Sequence, residues 1–289
     1  MSLVFDWSLG TRILFGLGRL AELPGLVEEL GAHRVLLVTG ARAMHESGSK
    51  ARALEVLAGF EVKVHSGVRV NLPLEDVDEL IEATREFGPE AVIALGGGSA
   101  LDGAKAAALI APQGGLIRDY LAGREAGPGL PLIAIPTTAG TGSEVTPFMI
   151  LLDAQARRKR SLGPRTAQPA AAIVDPELCL SLPPLQTAAT GLDAISHCLE
   201  SYWSKRATPL SDTLALEALS VLLENLEPAF RDPGDLEART GMSHGALVAG
   251  MALAQTATAA VHGLTYPLTA HYGVTHGIAC AFMLREVLK

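Results

Sequence analysis

The chain has 289 residues, 48% of them apolar and 19% charged, which excludes a disordered chain or a small disulfide-stapled scaffold and allows about two domains with full cores. A formal charge of -8 and a single short basic run, Arg157 to Arg160, argue against a general nucleic-acid binder. Three cysteines, Cys179, Cys198 and Cys280, are far apart in sequence; they spell neither a disulfide framework nor a thiolate cluster, and the expected location is the cytoplasm.

Gly16-x-Gly18 reads as a turn into a helix from Leu20 to Leu30. Strands are predicted at His33 to Thr39, Val62 to His65, Ala91 to Leu95 and Leu132 to Pro136, three of them nearly continuous apolar runs such as a buried parallel sheet requires. Helical patterns lie between and after them, at Lys50 to Leu57, Leu74 to Phe87 and Asp102 to Ile110. This alternation predicts an α/β layer with a mostly parallel sheet. Past Pro183-Pro184 the pattern becomes helical, with Gly191 to Ser204 and then Leu214 to Leu226, where Leu219, Leu222, Leu223 and Leu226 form one apolar face. The expected division is an α/β nucleotide-binding domain over 1–180 and an all-helical domain over 181–289. From Thr240 to Leu284 there is no Asp, Glu, Lys or Arg. Polar interruptions at Gln255, Thr256 and Thr258, and the nearby His244, His262, His271 and His276, favour buried helices around a polar site over a membrane span.

Three clusters carry chemistry. Gly96-Gly97-Gly98-Ser99 joins a strand to a helix, so bare backbone N–H groups and a positive dipole end face any anion placed there. The plainer alternative is a capping box made by Ser99 and Asp102. Neither the third small residue of a dinucleotide fingerprint nor the Lys-Ser/Thr of a P-loop is present, which removes ATPase chemistry. Pro136-Thr-Thr-Ala-Gly-Thr-Gly-Ser-Glu144, at a strand's C-terminal end, suits a loop that binds phosphate or sugar through hydroxyls and N–H groups. Asp193 and His197 lie four apart on one helix face. With His262-Gly and His276-Gly they supply three imidazoles and one carboxylate, a donor set suited to Fe(II), Zn(II), Mn(II) or Co(II).

These residues resemble the iron-containing (group III) alcohol dehydrogenases over essentially the whole chain. Gly96-Gly97-Gly98-Ser99-x-x-Asp102-x-x-Lys105 is similar to the family's nucleotide motif, and the Pro136 to Glu144 loop to its second signature. Thr190 to His197 with Glu200, and His262-Gly to His276-Gly, are similar to its metal-binding part. The resemblance implies a dehydroquinate-synthase-like architecture. It also implies a divalent metal, Fe(II) with Zn(II) as the alternative, held by Asp193, His197, His262 and His276 as the catalytic set. Asn71, Thr137, Thr138, Thr141 and Lys159 would join Gly40, Gly96, Gly97, Gly98, Ser99 and Asp102 around NAD or NADP. The implied reaction is hydride transfer between a small alcohol or aldehyde and the nicotinamide; a homodimer is the expected assembly, and composition and charge give no expectation of membrane or nucleic-acid partners.

Three departures from the family pattern shape further expectations. Gly40, with Arg42 close by, stands where NAD-preferring members carry an acid, so NADP(H) is favoured. Tyr266 stands where many members have another His, which leaves His271 as the substitute proton group. The family continues past the position of Lys289, so the helical part is expected to be shortened. The competing readings are a related metal- and NAD-dependent lyase of the dehydroquinate synthase type, and a catalytically impaired nucleotide- or metal-binding form.

Overall fold

A computed structural model describes residues 4–40 and 47–289. Its centre is a six-stranded, wholly parallel sheet formed by β1 (Arg12–Phe15), β2 (Arg34–Gly40), β3 (Glu61–Val68), β4 (Ala91–Gly96), β5 (Leu132–Pro136) and β8 (Ala171–Val174), in the spatial order β1-β8-β5-β4-β2-β3. Helices α1 (Leu23–Glu29), α2 (Ser49–Val56), α3 (Leu74–Phe87), α4 (Gly98–Ile110) and the short α5 (Ile117–Leu121) connect them. Period-two alternation divides each strand between two cores. Leu36, Val38, Val92 and Ala94 pack with α3 and α4 on one face, while Val35, Leu37, Ile93 and Ile135 pack with α1 and α2 on the other. Each fully buried Leu or Ile contributes about 1.5–3 kcal/mol, and burial on both faces explains why β2, β4 and β5 read as unbroken apolar runs.

From the adjacent strands β2 and β4 the chain leaves in opposite directions, toward β3 and toward β5. The crevice beyond their C-terminal ends is therefore the switch point where open α/β sheets bind ligands. The antiparallel hairpin β6 (Met149–Asp153) and β7 (Arg158–Leu162) stands outside the main sheet. The basic run lies in it.

The helical half comprises α6 (Pro184–Trp203), α7 (Pro209–Arg231), α8 (Leu236–Thr256), α9 (Ala260–Tyr272) and α10 (His276–Val287). Thr208 and Asp235 cap α7 and α8 by accepting from Ser211 N and Ala238 N. Helix α7 packs between α6 and α8, and α10 lies on α6. The apolar face expected on α7 needs one correction: Leu222 is buried and Leu219 and Leu226 pack against the core, but Leu223 is 61% exposed. The charge-free stretch forms three helices rather than one. Among the described residues no single helix is long and apolar enough to cross a membrane, and α8 and α9 meet at a bend of 103°.

Candidate metal centre and nucleotide crevice

The glycine-rich turn closes β4 onto α4. Gly96 has φ +155°, and a Cβ there would lie 2.8 Å from the Ala100 Cβ and 3.7 Å from Gly40 N, so the turn requires glycine and sits beside the end of β2. A Cβ on Gly98 would lie 2.8 Å from Thr141 Cγ2, and one on Gly97 3.4 Å from Thr138 Cγ2. The two small-residue motifs are thus in van der Waals contact.

Helix α4 begins at Gly98 with no side-chain cap, which leaves first-turn N–H groups free for an anion. The capping box open to Ser99 and Asp102 does not form, because Ser99 is already inside the helix. Its Oγ instead accepts from Asn71 N at 3.1 Å, with Asn71 itself in the left-handed region at φ 68°. The Asp102 carboxylate is engaged internally, accepting from Ser143 Oγ and from Ile150 N at 2.9 Å. Lys105 Nζ, fully buried, donates to Ser143 Oγ at 2.7 Å and to the Phe148 carbonyl at 2.8 Å. Asp102 and Lys105 therefore fasten α4 to the second loop and to β6. Asp102, expected beside the dinucleotide, is thus tied to the protein through both of its oxygens.

Thr137 is buried and its N–H donates to the Gly96 carbonyl at 3.0 Å, whereas Thr138 and Thr141 are half-buried at the crevice. Lys159, on β7, is half-buried with Nζ 5.8 Å from the Tyr266 ring centre. Burial lowers its pKa, opposed by attraction to Asp193, Cys280 and Asp102. Gly40 ends β2 at this crevice; Arg42 falls outside the described residues.

Helix α6 presents Asp193 and His197 one turn apart. Asp193 Oδ1 lies 3.8 Å from His197 Nε2, 3.3 Å from His262 Nε2 and 3.6 Å from His276 Nε2. The rings of His197 and His262 stack with centroids 4.7 Å apart. Gly277 sets this approach: a Cβ there would lie 1.9 Å from the Ala189 carbonyl oxygen, so α10 can rest on α6 only without a side chain at that position. Glu200, fully buried on α6, performs two tasks. Its Oε1 accepts from Val261 N at 2.7 Å and Ala259 N at 3.0 Å, satisfying the start of α9, and its Oε2 bonds His262 Nδ1. With Nδ1 held by Glu200, Nε2 is the ring atom that faces Asp193, and it would be the one to donate to an ion there.

The electrostatics suit a cation. Burial opposes ionisation of Asp193, yet the surrounding imidazoles hold its pKa far below the usual carboxylate range. Burial drives His276 down to about 3 and lowers His197, so both rings are neutral. His262 is driven the other way: Asp193, Cys280 and Glu200 outweigh its burial and raise its pKa. The buried Nδ1 of His276 has no partner at hydrogen-bond distance, nor has that of His197, which lies beside the Gly140 backbone. Three Nε2 atoms converging on one buried carboxylate oxygen fit a divalent ion with nitrogen and oxygen ligands.

Two residues gained roles that the sequence had left unassigned. Glu200 orients His262, a role signalled by its position three residues after His197. Cys280, four residues after His276 on α10, places Sγ 3.4 Å from Asp193 Oδ1. The structure does not bring His271 to the cluster. It is exposed on the last turn of α9 beside Tyr272, which corrects its assignment as the proton group. Tyr266 lies nearer, with its ring 6.3 Å from that of His276.

The model of the iron-containing alcohol dehydrogenases matches residues 10–176, and that of the family's C-terminal part matches residues 187–289. The chain belongs to the iron-containing alcohol dehydrogenase family. Alcohol dehydrogenase 4 of Saccharomyces cerevisiae is 36% identical over 99% of this chain and 76% of its own length. Sulfoacetaldehyde reductase from Bifidobacterium kashiwanohense, solved in complex with NAD+, is 35% identical with a TM-score of 0.93, covering 99% of this chain and 76% of that one. An iron-containing alcohol dehydrogenase from Thermotoga maritima is 37% identical with a TM-score of 0.92, covering 99% and 79%. This chain spans about three quarters of those relatives. As a member of the family it is a metal-dependent NAD(P) alcohol dehydrogenase acting on small alcohols or aldehydes.

Proposed function

We propose that Asp193, His197, His262 and His276 hold the metal of this alcohol dehydrogenase and that the Gly96 to Ser99 turn, with Thr138, Thr141 and Lys159, receives the dinucleotide. The observation that carries the assignment is the convergence of three Nε2 atoms within 3.3–3.8 Å of a single Asp193 oxygen. A divalent ion at this position supplies Lewis acidity to the alcohol or carbonyl oxygen. The chain's own residues do the rest. The bare N–H groups of α4 bind pyrophosphate, and the glycines let it approach the backbone. Glu200 holds His262 in one tautomer, and Lys159, with Nζ 5.8 Å from the Tyr266 ring centre, adds a positive charge to the site.

Finer assignments belong to the same proposal. Gly40 presents no carboxylate to repel a 2'-phosphate, which favours NADP(H). Oxygen and imidazole donors suit Fe(II). We further propose that the chain divides near residue 180, between β8 and α6, and works as a cytoplasmic homodimer. The three free, buried cysteines suit a reducing compartment, and exposed Leu264, Tyr272 and Phe282 on α9 and α10, with Leu288 just past α10, offer an apolar surface for a second copy.

Metal analysis tests the central assignment. Anaerobically purified protein should retain one ion per chain, and Asp193→Ala should lose it, together with at least about a thousandfold of kcat/KM. Retention of metal by the variant overturns the ligand set. A kcat/KM for an aldehyde that is larger with NADH than with NADPH overturns the cofactor preference.

A further inference from the structure

A group that the nitrogen-and-oxygen set leaves out lies inside the cluster. Cys280 Sγ is 3.4 Å from Asp193 Oδ1, 3.8 Å from His262 Nε2 and 3.7 Å from His276 Nε2. The donor atoms of Asp193, His262, His276 and Cys280 all lie within 4.8 Å of one another. Ligand bonds of about 2.0–2.2 Å for nitrogen and oxygen and about 2.3 Å for sulfur put neighbouring donors of a tetrahedral ion about 3.3–3.6 Å apart. The Cys280 separations match that spacing as well as those of His197, whose Nε2 is 3.8 Å from the same carboxylate oxygen.

Placement on the helix explains the coincidence. Cys280 follows His276 by four residues, so α10 points both side chains at Asp193 from one face. The thiol is fully buried.

We propose that Cys280 is a further donor to the metal, a fifth beside Asp193, His197, His262 and His276 at an ion expanded beyond four-coordination. The inference rests on the metal-centre reading and deepens it. As the ion enters, the Sγ–H bond breaks, its proton leaves to water and a metal–sulfur bond forms. A thiolate in the set moves the centre toward softer ions, favouring Zn(II) over Fe(II) relative to a purely nitrogen-and-oxygen site.

Zinc K-edge X-ray absorption on the zinc-loaded protein tests this directly. The wild type should show one sulfur at about 2.3 Å beside a shell of nitrogen and oxygen near 2.0 Å. Cys198→Ser, which changes a core thiol outside the cluster, should keep the sulfur, and Cys280→Ser should lose it. The Zn(II)-to-Fe(II) affinity ratio should fall in the same variant. A wild-type spectrum with nitrogen and oxygen alone overturns the proposal, as does a sulfur that survives Cys280→Ser. The wild-type spectrum decides even where Cys280→Ser fails to fold. Zinc bound without sulfur sinks only the Cys280 assignment, whereas failure of the wild type to hold zinc at all sinks it together with the metal centre.

Discussion

The crevice beside β4 and the cluster on α6, α9 and α10 solve opposite problems. In the crevice the charged side chains are neutralised by one another: Asp102, Lys105 and Ser143 form a closed buried network, and what faces outward is backbone. In the cluster, ring nitrogens of His197 and His276 lack partners and three imidazoles crowd one carboxylate. The first arrangement is finished by the fold and positions uncharged N–H groups; the second, on the proposed reading, would be completed by a cation at the Nε2 atoms. Stability should therefore depend on the first and metal retention on the second.

Three substitutions probe that contrast. Lys105→Met should have the largest effect, because it leaves Asp102 buried beside Ser143 without its cation; breaking such a pair costs about 3–5 kcal/mol. Denaturant unfolding should register that loss while the folded variant still retains metal. Parallel loss of metal would erase the distinction between the regions.

Glu144, in the second loop, comes next. Burial lifts its carboxyl to about 7, with its own backbone and Lys105 opposing the rise. Above about pH 4.3 the unfolded chain releases this proton, whereas the folded chain keeps it until about pH 7, so folding stability declines across that window. The decline is of the order of 3–4 kcal/mol. Urea midpoints of Glu144→Gln should be flatter than wild type between pH 4.5 and 7; equal slopes would show that the loop's carboxyl ionises normally.

Glu200→Gln sharpens the other side. The amide keeps the shape but weakens the grip on His262 Nδ1, and loss of such an orienting partner costs about 10- to 100-fold in metal affinity. Titration with a chelator measures it. An unchanged affinity would mean that the His262 ring is held by packing alone.

The sequence made some of this legible and hid the rest for physical reasons. Strands β4 and β5 were readable because both faces are buried, and α3 matched its expected ends, Leu74 and Phe87. Strand β1 was missed: it is four residues long and begins at exposed Arg12. Strand β8 was missed because its two alanines carry little strand signal beside the prolines. The hairpin was hidden by Arg158, Lys159 and Arg160, whose charges resemble a solvated loop. Ser99 and Asp102 fit a cap by spacing, but the helix starts at Gly98, two residues earlier than a cap at Ser99 requires. At the metal centre His197, His262 and His276 were visible from their partners in the motif. Cys280 was not, because a single thiol far from its fellows looks like core until the helix carrying it is oriented.

Gly277 has a reach beyond its own size. Where α10 rests on α6, main chain meets main chain, and the gap between the helix bearing His276 and the helix bearing Asp193 is gauged by a hydrogen atom in place of a methyl group. An alanine there would act as a wedge, widening the seat of the ion while leaving every donor chemically intact. If the proposed ligands hold an ion, its fit would then depend on a residue that offers nothing to coordinate.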